Sequence, residues 1–556
     1  MIKHTTYITV VAIVIVMFFL FHLAIFNIGW DRAWVTNVQQ LPVQPADTMS
    51  MNIQGNQVDN QEIQKTLGEP RYFLIAPNEN DSCLQNITKM LQLIKYSYAV
   101  YPSLDAIPAQ VPADLIGLIV CEGNLDAIGD MEKLHAYVAA GKDAVFAKRL
   151  DPQALNYQQH YQHFGILQSG ETYKQKGIDF LERLLISGPF LNADITTMAN
   201  RITLDGTCLT LAVGYDKEIK EYGDRNPLIW RTHYDGGAMY FFNNDLLSDF
   251  TNAGALMGVL SMDKAAFVYP IINANMMILD GMPYFSTDQD QNLLQQYNRT
   301  SAQFQFDIMW VDLLGIIKGF DIQYTMYPRI GPGQQEMEQQ ILESMGKAVS
   351  INNFEIGYYP SQYFRDNFSE YNAVSALQYK SDKTTNQIVF DPRNFSYTED
   401  GILNMPVISR VISRNSNEEQ FKSFSMASAL GYVAHYGDVV TVIEDQFAID
   451  YWDNYKKSLV QGYYSVAQTY NYLDIGTATQ TANKVGLFLD AAVDVQQNQD
   501  QITIKAQPEG ERSYILRSDT REIAGYENCT VKQLSDEYYL VKVQEKDAII
   551  HIKRSN

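Results

Sequence analysis

Residues 7–30, YITVVAIVIVMFFLFHLAIFNIGW, run for about 24 positions without a formal charge. About 20 apolar residues suffice to cross the hydrocarbon core of a bilayer, so this segment decides where the rest of the chain folds. Lys3 precedes it, and Asp31 and Arg32 follow. That slight positive-inside bias favours a cytoplasmic N-terminus and an extracytoplasmic C-terminal region. The run is longer than the apolar core of a cleaved leader, and no A-x-A-like site follows it. It reads as an uncleaved signal-anchor, with a cleaved signal of unusual site as the alternative. Either way the chain beyond it is expected outside the cytoplasm, and the signal-anchor reading makes it a cell-membrane protein crossing once. No other stretch is long and apolar enough to span.

The chain has 556 residues, enough for three or four units at roughly 150 residues each. Hydrophobic residues at 46% and aromatics at 12% exclude wholesale disorder. Lys and Arg total 42 against 64 Asp and Glu, a net charge of −22. A nucleic-acid binder needs a basic face for phosphate, so no nucleic acid is expected as partner. Four cysteines, Cys83, Cys121, Cys208 and Cys529, are too few for a disulfide scaffold, and none forms a CxxC pair. They read as small buried hydrophobes, and the sequence leaves their pairing open.

Residues 31–68 are rich in Gln, Asn and Pro with weak apolar periodicity, as in a stalk or linker. From 69 to 262, short apolar runs (YFLIA at 72–76, DLIGLIVC at 114–121, DAVFA at 143–147) alternate with helical periodicity at 83–96 and 125–141, with Gly141 just past the second helix. That alternation predicts a parallel sheet covered by helices on both faces. Runs at 207–215 and 237–245 read as further strands of it. The expected fold is flavodoxin-like, close to the class I amidotransferase architecture.

From 263 to 495 a second alternation begins. Expected strands are 267–283 (ending in Asp280), 321–328, 353–360, 406–413 and 438–447. Expected helices are 301–320, 336–350, 421–437, 451–473 and 483–494. Roughly 230 residues of βα alternation fit a barrel, whose functional groups come from the C-terminal ends of the strands. From 496 to 556 the pattern shortens to strands at 502–506, 513–518, 529–534, 538–543 and 548–553, a small β-sandwich.

Two features of the first unit could carry chemistry. Cys121 ends a strand, but the G-x-C-x-G spacing of a nucleophile elbow is missing, since Ile119 stands where the first glycine would be. His160 and His163 form an HxxH pair, which on a Tyr- and Gln-rich surface helix reads as solvated rather than metal-binding. No GxGxxG or P-loop pattern follows the first strand, so no nucleotide cofactor is expected.

FNNDLLSDFTNAGALMGVLS (242–261), VYPIINANMMILDGMP (268–283) and NFEIGYYP (353–360) carry a family resemblance. With the order of units, they resemble proteins bearing a NodB-like polysaccharide-deacetylase barrel, and among these the PelA-like type of Gram-positive Pel exopolysaccharide loci. The resemblance implies an α/β multidomain chain: a transmembrane helix, a flavodoxin-like domain, a deacetylase-like (β/α) barrel and a β tail. Active members hold a divalent metal through one Asp and two His, with a second Asp as base and a further His as acid. The metal polarises the acetyl carbonyl and acidifies its bound water, and the base takes the proton as that water attacks.

This sequence departs from that set. The family's Asp-Asp pair is Asp280-Gly281 here, and EIG is followed by Tyr358, Tyr359, Pro360 and Ser361 rather than histidines. Between 264 and 495 the only histidine is His435, expected toward the end of a helix. One histidine cannot supply two metal ligands and an acid, so no metal, no cofactor and no standard deacetylase activity are expected.

What remains is a sugar-binding mouth. Asp280, Tyr284, Tyr358 and Tyr359 are the candidate substrate contacts, because a Tyr ring offers a pyranose an apolar face and a hydroxyl. Asp280, Glu444 and Asp445 are the candidate carboxylates. The leading reading is a catalytically degenerate, membrane-anchored deacetylase-like protein that binds or scaffolds an exopolysaccharide. A partly deacetylated, cationic amino-sugar polymer would suit the acidic surface. Two alternatives stand beside it. One is a metal-independent glycoside hydrolase using Asp280 and Glu444, which needs about 5–9.5 Å between carboxylates. The other is a protein-binding subunit of a cell-envelope assembly.

Overall fold

The structure is a computed structural model that describes residues 69–556, except 182–183, 286–290, 321, 331–353, 358–374, 378–385, 412–415, 445–450, 499, 508–509, 519–520, 545–546 and 555–556. All of the described residues belong to one compact unit, Gly55–Asn556. The expected span 7–30 and most of the linker at 31–68 lie outside them. Among the described residues no helix is long and apolar enough to cross a membrane.

The first sheet has nine strands: β1 (Tyr72–Ile75), β2 (Tyr98–Tyr101), β3 (Gly117–Val120), β4 (Asp143–Phe146), β5 (Ile166–Phe180), β6 (Phe190–Leu204), β7 (Leu209–Gly214), β8 (Pro227–Tyr234) and β9 (Gly237–Phe242). Their order is β2-β1-β3-β4-β9-β8-β7-β5-β6. The first five in that order are parallel and the rest antiparallel. The parallel strands β1, β3 and β4 are short apolar runs buried on both faces, as helix-covered strands must be. Helix α1 (Ser82–Leu93) starts where Asp81 accepts the Cys83 and Leu84 N–H groups at 3.0 and 3.2 Å. Helix α2 (Met131–Ala139) is capped by Asp130 and followed by Gly141 at φ +84°. A short helix α3 (Leu155–His160) follows β4. The hairpin of β5 and β6, two strands of 15 residues each, is an addition that periodicity did not announce. The first half of β5, 167–172, is exposed throughout, so it carries no apolar alternation.

Helix α4 (Ala253–Ser261), buried along its whole length, leads into the second alternation. The expected strand 267–283 is two strands, β10 (Phe267–Ile271) and β11 (Ala274–Phe285). They part at Asn273, which has φ +61°. β11 pairs in parallel with β12 (Tyr324–Ile330), and β12 with β13 (Phe354–Ile356). Helix α5 (Trp310–Phe320) precedes β12, joined to Ser301–Phe304 by a π turn at Gln305–Met309. Strands β14 (Ser375–Leu377), β15 (Asn386–Val389) and β17 (Leu403–Pro406) are also parallel, with the short β16 (Ser396–Tyr397) antiparallel on β17. Val407 N–H then bonds Val389 C=O at 2.8 Å and Ile408 N–H bonds Ala434 C=O at 3.0 Å. At that step the chain passes from β15 to the neighbourhood of β18 (Ser409–Val411) and β19 (Tyr432–Asp438). β18 pairs with β19 and β19 with β11, all in parallel.

The described pairings thus form one sheet in the order β13-β12-β11-β19-β18 and a separate one in the order β14-β15-β17-β16. Met276, Ile278, Tyr327, Ile388, Met405 and Ala434 share the core on one face of these strands. On the other face, Met277, Leu279, Tyr324 and Met326 pack with Trp310, Leu313, Trp452, Tyr455 and Tyr463 of the surrounding helices.

Two expected elements change type here. Helix α6 (Asn417–Leu430) stops at Gly431, whose φ of +58° favours glycine and where a Cβ would sit 2.7 Å from Ile271 Cδ1. The residues beyond it, read as the end of a helix, are β19. The expected strand 438–447 is instead helix α7 (Val440–Glu444). Helix α8 (Tyr451–Thr469) covers the outer face, and the short β20 (Asp474–Ile475) adds to β11. Helix α9 (Ala478–Asp490) closes the region under a Thr477–Gln480 capping box.

The tail is a sandwich of two four-stranded antiparallel sheets. One is β10-β23-β26-β25 and the other β21-β22-β27-β24. The strands are β21 (Ala492–Gln497), β22 (Gln501–Gln507), β23 (Arg512–Arg517), β24 (Arg521–Glu527), β25 (Cys529–Gln533), β26 (Tyr538–Val543) and β27 (Asp547–Arg554). Val268 of β10 lies in the shared core with Ile504, Leu516, Val541 and Ile550, so the sandwich borrows a strand from before β11.

Candidate functional site

The pairing of β11 with β19 ends at Asp280 and Asp438, where β19 stops and β11 runs on to Phe285. Asp280 and Asp438 are register partners, as are Ile278 and Tyr436. Side chains alternate along a strand, so Ile278, Asp280, Tyr436 and Asp438 share the inward face. Neighbouring strands lie about 4.8 Å apart, which sets two carboxylates side by side at the C-terminal rim. Asp280 is fully buried, and the Tyr436 hydroxyl donates to its Oδ2 at 2.5 Å. Asp438 Oδ1 accepts the Val440 N–H at 3.0 Å, which starts α7 at the rim. Tyr436 and Asp438 were not among the sequence candidates. The signal for them was the glycine at 431, which turns YVAHYGD from helix into strand.

Gly281 follows Asp280 with φ +74°, and a Cβ there would lie 2.3 Å from Val440 Cγ2. Beyond it, Tyr284 is half-buried; its N–H donates to Gln305 Oε1 at 2.7 Å, and Gln305 Nε2 donates back to its carbonyl. The π turn thus turns Gln305 toward the end of β11. Tyr358, Tyr359 and Asp445 lie outside the described residues. Glu444 is on helix α7 rather than at a strand end, because the chain turns into a helix straight after Asp438; this corrects its expected placement.

His435 is on β19, not on a helix, and its register partner is Met277 of the outward face. It is buried; Nδ1 lies 2.9 Å from Ser409 Oγ, and the ring packs 5.8 Å from Tyr463 of α8. It points away from Asp280. Burial pushes its pKa down to about 3. Unfolded, it titrates near 6.5. Above pH 6.5 both states are neutral and the full stability is present. As the pH falls from 6.5 toward 3, the unfolded chain takes up a proton that the folded chain refuses. Stability then drops by up to about 1.4 kcal/mol per pH unit. His135, lowered to about 4 by burial and then by His160 and His163, acts in the same window. His435→Asn should flatten the unfolding midpoint between pH 6.5 and 4, and an unchanged slope would assign the loss to other groups.

The EIG segment serves structure. Glu355 and Thr325 are register partners on the inward face. Thr325 Oγ1 accepts the Ala478 N–H at 2.7 Å and Glu355 Oε2 the Thr479 N–H at 3.1 Å. These two side chains hold the N-terminus of α9, where a carboxylate also meets the helix dipole. Burial nevertheless raises the Glu355 pKa.

In the first sheet, Cys121 directly follows β3, buried beside Cys83, and none of the four cysteines is in a disulfide. The Cys83 hydrogen bond and burial hold the Cys121 thiol well above its ordinary value, the opposite of what a nucleophile needs. The HxxH pair is not simply solvated: His160 is half-buried, with Nδ1 shielded from solvent, and both rings pack on the buried His135.

These elements define a deacetylase-like fold. Among solved structures the chain is similar to Agd3, described as a novel carbohydrate deacetylase, with TM-score 0.51 and 10% identity over 87% of this chain and 98% of that one. A thua-like protein from Bacteroides uniformis matches at TM-score 0.26 and 13% identity, covering 35% of this chain and 94% of that one. The exo-beta-1,4-mannosidase Op5Man5 from Opitutaceae bacterium strain TAV5 matches at TM-score 0.25 and 15% identity, over 34% and 35% of the two chains. Residues 191–328 match a family described as an uncharacterised protein conserved in bacteria (DUF2194). No curated protein matches the chain.

Proposed function

We propose that this chain is a membrane-anchored, extracytoplasmic carbohydrate-binding protein, built on a flavodoxin-like domain and a deacetylase-like barrel whose metal site is degenerate. The likeness to a carbohydrate deacetylase supports a carbohydrate-related role. The observation that carries the finer reading is Gly281. It stands where the resembled family places the metal carboxylate, with a left-handed backbone and Val440 against its α-carbon. The lone histidine of the region faces the outer helices, away from Asp280. On this reading Asp438 and Tyr436 form a polar rim that hydrogen-bonds sugar hydroxyls or an ammonium, and the buried Asp280 beneath it holds the Tyr436 hydroxyl in place. Tyr284, Tyr358 and Tyr359 supply ring faces. The segment 7–30 holds the protein on the membrane, where it scaffolds an exopolysaccharide, with envelope proteins as further partners.

Binding of amino-sugar oligomers, acetylated and deacetylated, to the purified protein tests this. The deacetylated oligomer should bind more tightly, and its affinity should fall as salt screens the net charge of −22. Asp280→Asn should weaken binding about tenfold or more, the ~1.5–3 kcal/mol typical of a hydrogen bond to a charged group. Equal binding by wild type and variant would remove Asp280 from the site, and absence of binding by both would end the carbohydrate reading.

A further inference from the structure

Three of the eight histidines in the chain converge in the first domain, far from one another in two cases along the sequence. His135 lies on α2, His160 ends α3, and His163 sits in the turn that follows. The ring centroids of His135 are 4.9 Å from those of His160 and 5.1 Å from those of His163, and the last two are 5.8 Å apart. One ring nitrogen from each lies within 4.8 Å of the other two.

The burial of these rings is the unusual part. His135 is 3% exposed, yet neither of its ring nitrogens has a hydrogen-bond partner among the described residues, and His160 Nδ1 is likewise buried without one. A buried imidazole with no partner loses its hydration for nothing. Two such rings packed with a third for bulk alone would be a poor use of polar side chains. Tyr234, with its ring 4.8 Å from His135, closes one side as an apolar wall.

We propose that His135, His160 and His163 bind a divalent transition-metal ion, with Zn2+ as the best fit. Imidazole nitrogens suit Zn2+, and three protein ligands leave a fourth tetrahedral position for water or an acidic ligand. Zn–N bonds of about 2.0–2.1 Å put tetrahedral nitrogens about 3.4 Å apart. The cluster closes to that by shifts of up to about 1.4 Å. His163, exposed on its turn, supplies most of the movement. The site is separate from the rim at Asp280 and stands whether or not that rim binds sugar.

The test uses the untagged full-length protein, stripped with chelator and titrated with Zn2+ by calorimetry, and with Co2+ by visible absorbance. The expected result is one ion per chain, a tetrahedral Co2+ band, and a higher unfolding temperature with metal. His163→Ala, at an exposed position that leaves the fold intact, should weaken Zn2+ binding at least tenfold and abolish the Co2+ band. His160→Gln should do the same. His551→Ala, at an exposed histidine of the tail, should bind as wild type does. Failure of the wild type to take up stoichiometric metal would overturn the proposal. So would uptake that persists undiminished in both variants, because the ion would then sit elsewhere.

Discussion

Gly281→Asp, the substitution that writes the family's paired carboxylates into this chain, is expected to destabilise it by about 3 kcal/mol and to recruit no metal at β11. Two costs add. A non-glycine residue held in the left-handed region costs roughly 1–2 kcal/mol. Forcing a side chain into occupied space costs roughly 1–3 kcal/mol more, and the Cβ would begin 2.3 Å from Val440 Cγ2. The two can be separated. Val440→Ala in the Gly281→Asp background removes the methyl and should return the steric part, leaving the backbone part. Chemical unfolding of the two single variants and the double variant reads this directly. A Gly281→Asp protein as stable as wild type, binding a divalent ion through the new carboxylate, would show that the rim is one substitution from an active site.

The second large effect is expected at Arg517, at the end of β23. Its side chain is fully buried. Nη1 donates to Gly258 C=O at 2.8 Å and to Ser261 Oγ at 3.2 Å, both on α4. Nη2 and Nε bond Glu537 Oε2 at 2.7 and 3.2 Å, and the guanidinium lies 5.0 Å from the centre of the Tyr538 ring. One side chain thereby joins the sandwich to the helix that follows the first sheet. Removing one partner of a buried pair costs about 3–5 kcal/mol, because the other charge is left uncompensated. Arg517→Ala should therefore lower stability by that amount. Arg517→Met with Glu537→Gln should recover much of it, since the stranded carboxylate is gone. If the double variant is no better than the single, the loss is one of packing rather than of charge.

Much of the parallel half of the first sheet is legible in the sequence. YFLI, GLIV and DAVF are buried on both faces, so each is an unbroken apolar run, and Asp81 and Gly141 mark where helices start and stop. The tail is legible for the same kind of reason: ITIKA and YYLVKV alternate, as strands with one wet face do. Legibility fails where a local signal is shared between two elements. Nothing in the residue types of 421–437 separates helix from strand; the boundary is set by Gly431 closing on Ile271, a residue 160 positions away. The run 267–283 hides two strands for a like reason, because β10 belongs to a sheet completed only by β23.

The candidate site follows the same division. Asp280 is found because it ends an apolar run. Asp438 and Tyr436 are missed because their strand is misread, and Glu444 is misplaced with it. The histidine cluster shows the limit of motif reading. HxxH displays His160 and His163, but the third ring arrives through the packing of α2 against α3, and no spacing in the chain announces it.

The measurement that bears most directly on the account is incubation of the purified protein with acetylated amino-sugar oligomers, with and without added Zn2+ or Co2+, and mass spectrometry of the products. Oligomers recovered with their length and every acetyl group intact, while binding to the protein is measurable, are what a binding rim without metal ligands predicts. Loss of acetyl groups would contradict it, and would mean that a ligand set other than the family's assembles on these strands. Shortened chains would contradict it too, and would turn attention to the paired carboxylates of Asp280 and Asp438 as acid and nucleophile.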